Sequence, residues 1–251
     1  REALAAGRSP RLELEDPDDP AITELVHAYW QQQVLPLPPH LLAGIRRCGI
    51  DPAGLEGLLR SLDSDPALEL DPLPPDLQLE IPLAEQLPQL WQRIWHDFRR
   101  RWSEQGRSLQ EQLLEEARRW RADGVARTEP YRPTARTDRS GEVESFIAAQ
   151  SPEGDYEACL EQRWLQGYFH PGLFARVVRQ VEQQAGRQPP QTVRLPNPGL
   201  MQAVADLLDG PAEALLLHAL HWGRQELERR RRSRGVSSFS QLLRDLDPGP
   251  D

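Results

Sequence analysis

The prolines decide most of what this chain can fold into. There are 24 of them. A proline inside a helix removes an N–H donor and crowds the carbonyl four residues back. They gather in a few stretches, Pro36-Leu37-Pro38-Pro39 and the run holding Pro66, Pro72, Pro74, Pro75 and Pro82 among them. The segments between carry apolar residues at helical spacing, so the chain reads as helices divided by stiff extended connections. No strand and no internal repeat is visible. The expected fold is all-α, an irregular multi-helix arrangement with long Pro-rich loops.

The first helix is expected to open at Asp19-Pro20, with Asp19 as the cap and Pro20 in the first turn. Ile22, Leu25, Val26 and Tyr29 form its apolar face, and the proline run from Pro36 ends it. A second helix spans about His40 to Cys48. A third starts behind Asp51 and Pro52 and carries Leu55, Leu58, Leu59 and Leu62. The strongest period follows: Leu83, Leu87, Leu90, Trp91, Ile94, Trp95, Phe98 and Trp102 fall on one stripe. Gly106 is expected to interrupt that helix, and Ser108 with Glu111 to restart it as a capping box ahead of Leu109, Leu113, Leu114, Ala117 and Trp120. The two pieces would make a broken or antiparallel hairpin. Tryptophans at this spacing are packing residues before they are base-stacking platforms.

Gly124 to Gly141, with Arg127, Arg132, Arg136 and Arg139, lacks an apolar period and reads as a loop. Short helices are expected over Tyr156–Leu165 and Leu173–Gln184, divided by His170-Pro171-Gly172, with His170 a turn residue. Asn197 caps the next helix, with Pro198 in its first turn and Leu200, Met201, Val204, Leu207 and Leu208 on its face. Gly210-Pro211 is expected to end it and to open a last long helix. That helix puts Ala214, Leu215, His218 and Trp222 on its apolar side. It closes on Arg229-Arg230-Arg231-Arg232-Ser233-Arg234, with Gly235 as its terminating residue. Ser238 and Gln241 would cap a final short helix holding Phe239, Leu242, Leu243 and Leu246.

Composition narrows the function. The net charge is -9, so the whole chain is no basic nucleic-acid binder, and any such contact must be local. Every basic residue is arginine; without lysine, a GxxxxGK[ST] phosphate-binding loop is impossible. No GxGxxG, GxSxG, HExxH or DxDxDG pattern occurs. Acidic neighbours such as Asp18-Asp19 and Glu115-Glu116 diverge around a helix rather than converge on a metal. Cys48 and Cys159 are isolated, which fits a reducing cytoplasm and no zinc site. No apolar run is long enough for a membrane span. The chain opens on Arg1 and closes on Asp247-Pro248-Gly249-Pro250-Asp251, and both ends are expected to continue into a longer protein. No catalytic residue, bound cofactor or metal is expected within it.

Four stretches carry a family resemblance. They are His27-Ala28-Tyr29-Trp30-Gln31-Gln32-Gln33-Val34-Leu35-Pro36-Leu37-Pro38, Asn197-Pro198-Gly199-Leu200 leading into Ala203–Leu208, the arginine-ended helix around Glu226–Arg232, and Gly235-Val236-Ser237-Ser238-Phe239-Ser240-Gln241-Leu242-Leu243. In this order they resemble the beta subunit of bacterial exodeoxyribonuclease V, the RecB family of UvrD-like helicases, with its YWRRHxYPLP, HPLFxAIxxLL and GxxSFDDLL segments. Ser240 and Gln241 stand where that family has two acidic residues, so no role of those carboxylates carries over. The resemblance implies a helical subdomain (residues 1–235) inserted into the first motor domain, with residues 236–251 starting the return to it. It implies a DNA-handling part of an ATP-dependent helicase and exonuclease of double-strand break repair. ATP and magnesium would bind the parent enzyme outside this chain, and the partners would be DNA and the other subunits of a RecBCD-type complex. The candidate DNA contacts are Arg229, Arg230, Arg232 and Arg234. Arg229 and Arg232 share one side of the helix, and Arg230 and Arg234 the next. The competing reading is a free-standing helical adaptor that binds protein through the tryptophan stripe.

Overall fold

A computed structural model describes residues 13–14, 20–65, 68–124, 130–131, 138–234 and 236–237. The fold is all-α. Eight α-helices are described: α1 (Ala21–Tyr29), α2 (Pro39–Arg47), α3 (Pro52–Ser64), α4 (Leu83–Ala122), α5 (Arg139–Ala149), α6 (Tyr156–Glu161), α7 (Pro171–Gln184) and α8 (Pro198–Arg234). Single π-helical turns occupy Trp30–Val34 and Leu165–Phe169. Two dipeptides, β1 (Glu13–Leu14) and β2 (Val236–Ser237), pair in parallel, Glu13 opposite Val236.

The chain divides into two compact units. The first comprises Arg1–Pro36, Gly49–Leu83 and Ala214–Asp251. Its core is built by α1, which buries Ile22, Leu25, Val26 and Tyr29, by α3 with Leu55, Leu59 and Leu62, and by Leu215, His218, Ala219 and Leu227 of α8. Asp51 caps α3 as expected, its Oδ1 accepting from the Gly54 N–H at 2.7 Å. Leu58 departs from the expected face and is exposed. The stretch from Leu68 to Pro82 has neither helix nor strand. Asp19 lies outside the described residues, and Pro20 occupies the cap position of α1.

The second unit comprises Leu37–Cys48 and Ala84–Glu213. Its spine is α4, whose Leu87, Trp91, Trp95, Phe98 and Trp102 are buried while Leu90 and Ile94 are half-buried. The indole N–H groups of Trp91 and Trp95 donate to the carbonyls of Glu153 and Pro152, each at 3.0 Å. Two tryptophans one turn apart thus fasten the loop ahead of α6. That loop needs a glycine at 154: its φ is +71°, and a Cβ there would sit 2.6 Å from the Trp95 ring.

Two expected breaks do not occur. α4 runs unbroken for 40 residues. Gly106 is buried under the Trp102 indole, where a Cβ would meet the ring at 2.8 Å, so this glycine makes room rather than a terminus. Ser108 is mid-helix, and its hydroxyl accepts from Gln112. The hairpin reading therefore fails. Likewise α8 continues through Pro211 for 37 residues. A proline leaves the carbonyls before it short of donors. Here the Tyr156 hydroxyl enters the helix ladder, donating to the Leu208 carbonyl at 2.9 Å while the Ala212 N–H points to the hydroxyl oxygen itself. Burial of that hydroxyl pushes its pKa up strongly. Tyr156→Phe should cost about 1–3 kcal/mol, the penalty of an unpaired buried polar group. An unchanged urea midpoint would show that the ladder needs no such insert.

The polar stretch Gly124–Gly141 is also corrected at its end. Asp138 caps α5, accepting from the Gly141 N–H at 2.9 Å, and Arg139 is buried in the first turn. Its guanidinium lies 4.1 Å from the Tyr168 ring centre and 5.2 Å from that of Trp164. The expected helix over Tyr156–Leu165 ends at Glu161 and resumes as the π turn from Leu165. Asn197 caps α8 as expected, accepting from the Leu200 N–H at 3.1 Å. Gly235 and the expected helix after Ser238, with Gln241, lie outside the described residues.

Candidate nucleic-acid interface

The last turns of α8 present the arginine run. Helical geometry places each cation over an acid three or four residues earlier. Arg229 grips Glu226 through Nε at 2.6 Å and Nη2 at 2.7 Å, and Arg230 Nε reaches the same carboxylate at 3.1 Å. The Arg229 hydrogen bond, aided by Arg230, holds the Glu226 carboxyl below the usual carboxylate range. Arg232 pairs with Glu228 at 3.0 Å. The sequence grouped Arg229 with Arg232 and Arg230 with Arg234; instead Arg229 and Arg230 share one partner. Arg234 ends the helix, and its side chain lies outside the described residues.

Arg231 behaves differently. It makes a two-pronged pair with Asp63, both bonds at 2.7 Å, and its side chain is 10% exposed. That pair joins α8 to α3 and is part of the packing. Arg229 and Arg232 keep 75% and 80% of their side-chain surface in solvent. Exposed pairs of this kind contribute little to the fold, because water screens them. The local field is weak, because Glu226 and Glu228 neutralise much of the charge of Arg229, Arg230 and Arg232.

The stripe residues that could have stacked bases are unavailable. Trp91, Trp95 and Trp102 are 1%, 0% and 1% exposed. Trp164 is half-buried, with its N–H bound to Glu142 at 2.5 Å and the Arg163 guanidinium 4.2 Å from its ring centre. His170 caps α7 through Nδ1, and its Nε2 lies 3.1 Å from Asp209, a partner too far off in sequence to be seen by spacing.

Sequence reasoning missed one group of arginines. Arg121, Arg176 and Arg179 are exposed, and their side chains have no ionic or hydrogen-bonding partner among the described residues. The signal was available: the outer face of α7 reads Arg176, Arg179, Gln180 and Gln183 without an acid.

Among the described residues no cluster of His, Cys, Asp or Glu could hold a metal ion, and no helix is long and apolar enough to cross a membrane. Comparison with protein-family models, with curated proteins and with solved structures finds no match.

Proposed function

We propose that this chain is the DNA-handling helical subdomain of a RecB-type helicase and exonuclease of double-strand break repair, working in the cytoplasm and not catalytic by itself. The observation that carries this reading is the ordered set of four stretches that resemble the RecB family. Two features of the fold support it. Tyr29, from the first stretch, packs its ring 5.1 Å from Trp222 and its hydroxyl 2.9 Å from His218, both on the helix that ends in the third stretch. Tyr29 is therefore a core residue of its unit, as a fold-defining motif residue should be. In addition, Glu13 and Val236 lie on paired strands, about 5 Å apart. A subdomain inserted into another domain needs its entry and exit close together. The adaptor alternative needs the tryptophan stripe on the surface, and that stripe is buried.

In this role the chain binds and orients DNA beside a motor whose ATP and magnesium sites belong to other segments of the parent, and it meets the other subunits of the complex. The test is fluorescence anisotropy with a labelled duplex bearing a single-stranded tail. The chain should bind at low salt, weaken steeply as salt rises, and hydrolyse no ATP with or without DNA. Failure to bind at about 50 mM salt would overturn the DNA reading. DNA-stimulated ATP turnover would overturn the non-catalytic one.

A further inference from the structure

We infer that the phosphate-contacting surface lies on the outer face of α7 and the adjoining last turn of α4, through Arg176, Arg179 and Arg121, rather than on the arginine-ended turn of α8. This rests on the DNA-handling reading above and assigns its contact residues.

Most exposed arginines of this acidic chain are already neutralised: Arg47 by Glu161, Arg60 by Glu56, Arg107 by Glu144, Arg163 by Glu142, and Arg229 and Arg232 as described. A phosphate arriving at any of these must displace a carboxylate, and the local charge is close to cancelled. Arg121, Arg176 and Arg179 carry no such counter-charge. On α7 the buried residues Phe174, Val177 and Val181 define the inner face. Arg176 and Arg179 project from the opposite side, together with Gln180 and Gln183. The one acid of α7, Glu182, is taken by Arg187 at 2.6 Å. α7 touches the end of α4: the Phe174 and Trp120 rings are 5.8 Å apart, and Arg187, just past α7, reaches Asp123 at 3.7 Å. Arg121 is the residue after Trp120, on the last turn of α4 that Phe174 of α7 packs against. Arg194 is also unpaired, but it lines a groove with Glu115 and Glu116 and is left out for that reason.

The chemistry of the face selects its partner. Guanidinium forks and amides without an acid or a large apolar residue suit a repeating anion, the phosphodiester backbone, and carry no base readout.

The experiment compares the wild-type chain with two triple variants, Arg121→Gln/Arg176→Gln/Arg179→Gln and Arg229→Gln/Arg230→Gln/Arg232→Gln, on the tailed duplex at several salt concentrations. Glutamine is a good helix former, and unchanged circular dichroism certifies the folds. If the first three arginines each hold a phosphate, the log–log salt slope of that variant flattens by about 0.7–0.9 per contact. Over about 50 to 200 mM salt, three such contacts amount to roughly 20–40-fold in affinity, present in the wild type and lost in the variant. The α8 variant should keep the wild-type slope, and lysine at the three α7 and α4 positions should restore it. A slope lost only in the α8 variant overturns this assignment and leaves the DNA reading standing. No binding by the wild type overturns both. Displacement of DNA by poly-glutamate at matched charge would reassign the face to an acidic protein and overturn the inference.

Discussion

Trp95→Ala should lower the stability of the chain by about 3–5 kcal/mol. The ring is fully buried, stacked on Trp91 with centres 6.1 Å apart, and set against Phe98 at 6.0 Å. Truncation removes this burial and leaves a cavity that the rigid neighbours cannot refill. It also strips the Pro152 carbonyl of its indole donor and removes the surface on which Gly154 sits. Domains of this size are stable by about 5–15 kcal/mol, so the loss is a large share of the total. Trp95→Phe separates the two contributions. It keeps most of the packing and drops the donor, and should cost about 1–3 kcal/mol. Urea unfolding followed by circular dichroism reads both. A midpoint that does not move in the alanine variant would place the stripe at the surface and revive the adaptor reading.

Acid should weaken the fold through His218 by roughly 3 kcal/mol. Burial drives the pKa of this imidazole from 6.5 down to about 4, with the nearby His221 adding to the shift and the Gln78 carbonyl opposing it. Its Nδ1 faces the Tyr29 hydroxyl at 2.9 Å, a contact that suits the neutral ring. The unfolded chain takes up the proton below its ordinary value, and the folded chain resists until about pH 4. The stabilisation is therefore complete above about pH 6.5 and is lost progressively as pH falls toward about 4. His218→Gln has no such titration, while the carboxylates that respond to acid are common to both proteins. The wild type should lose the larger amount of stability between neutral pH and about pH 4.5, by about 2–3 kcal/mol. Equal losses would mean that the charged imidazole is accommodated.

Helix starts marked by their own residues were legible in the sequence. Asp51 and Asn197 cap through bonds to amides three residues on, and the α4 stripe repeats at the period that burial requires. Breaks judged from glycine and proline were misread because their resolution is tertiary. Gly106 is explained by the ring of Trp102, and Pro211 by a tyrosine on another helix. Long-range partners were invisible for the same reason: Arg231 finds Asp63 across 168 residues, and His170 finds Asp209 across 39. The candidate site was half legible. The arginine run stood out, but Glu226 and Glu228, three and four residues before Arg229, Arg230 and Arg232, already foretold its neutralisation. The arginines of α7 were legible as a helical face without an acid, but that no partner reaches them from another element among the described residues needed the fold.

The most direct test of the central claim is to sequence the open reading frame on both sides of the segment that encodes these 251 residues. A RecB-type parent carries, in the same frame, a GxxxxGK[ST] loop before Arg1 and an acidic magnesium-binding helicase motif soon after Asp251, and both are the expected result. A frame lacking both motifs would contradict it.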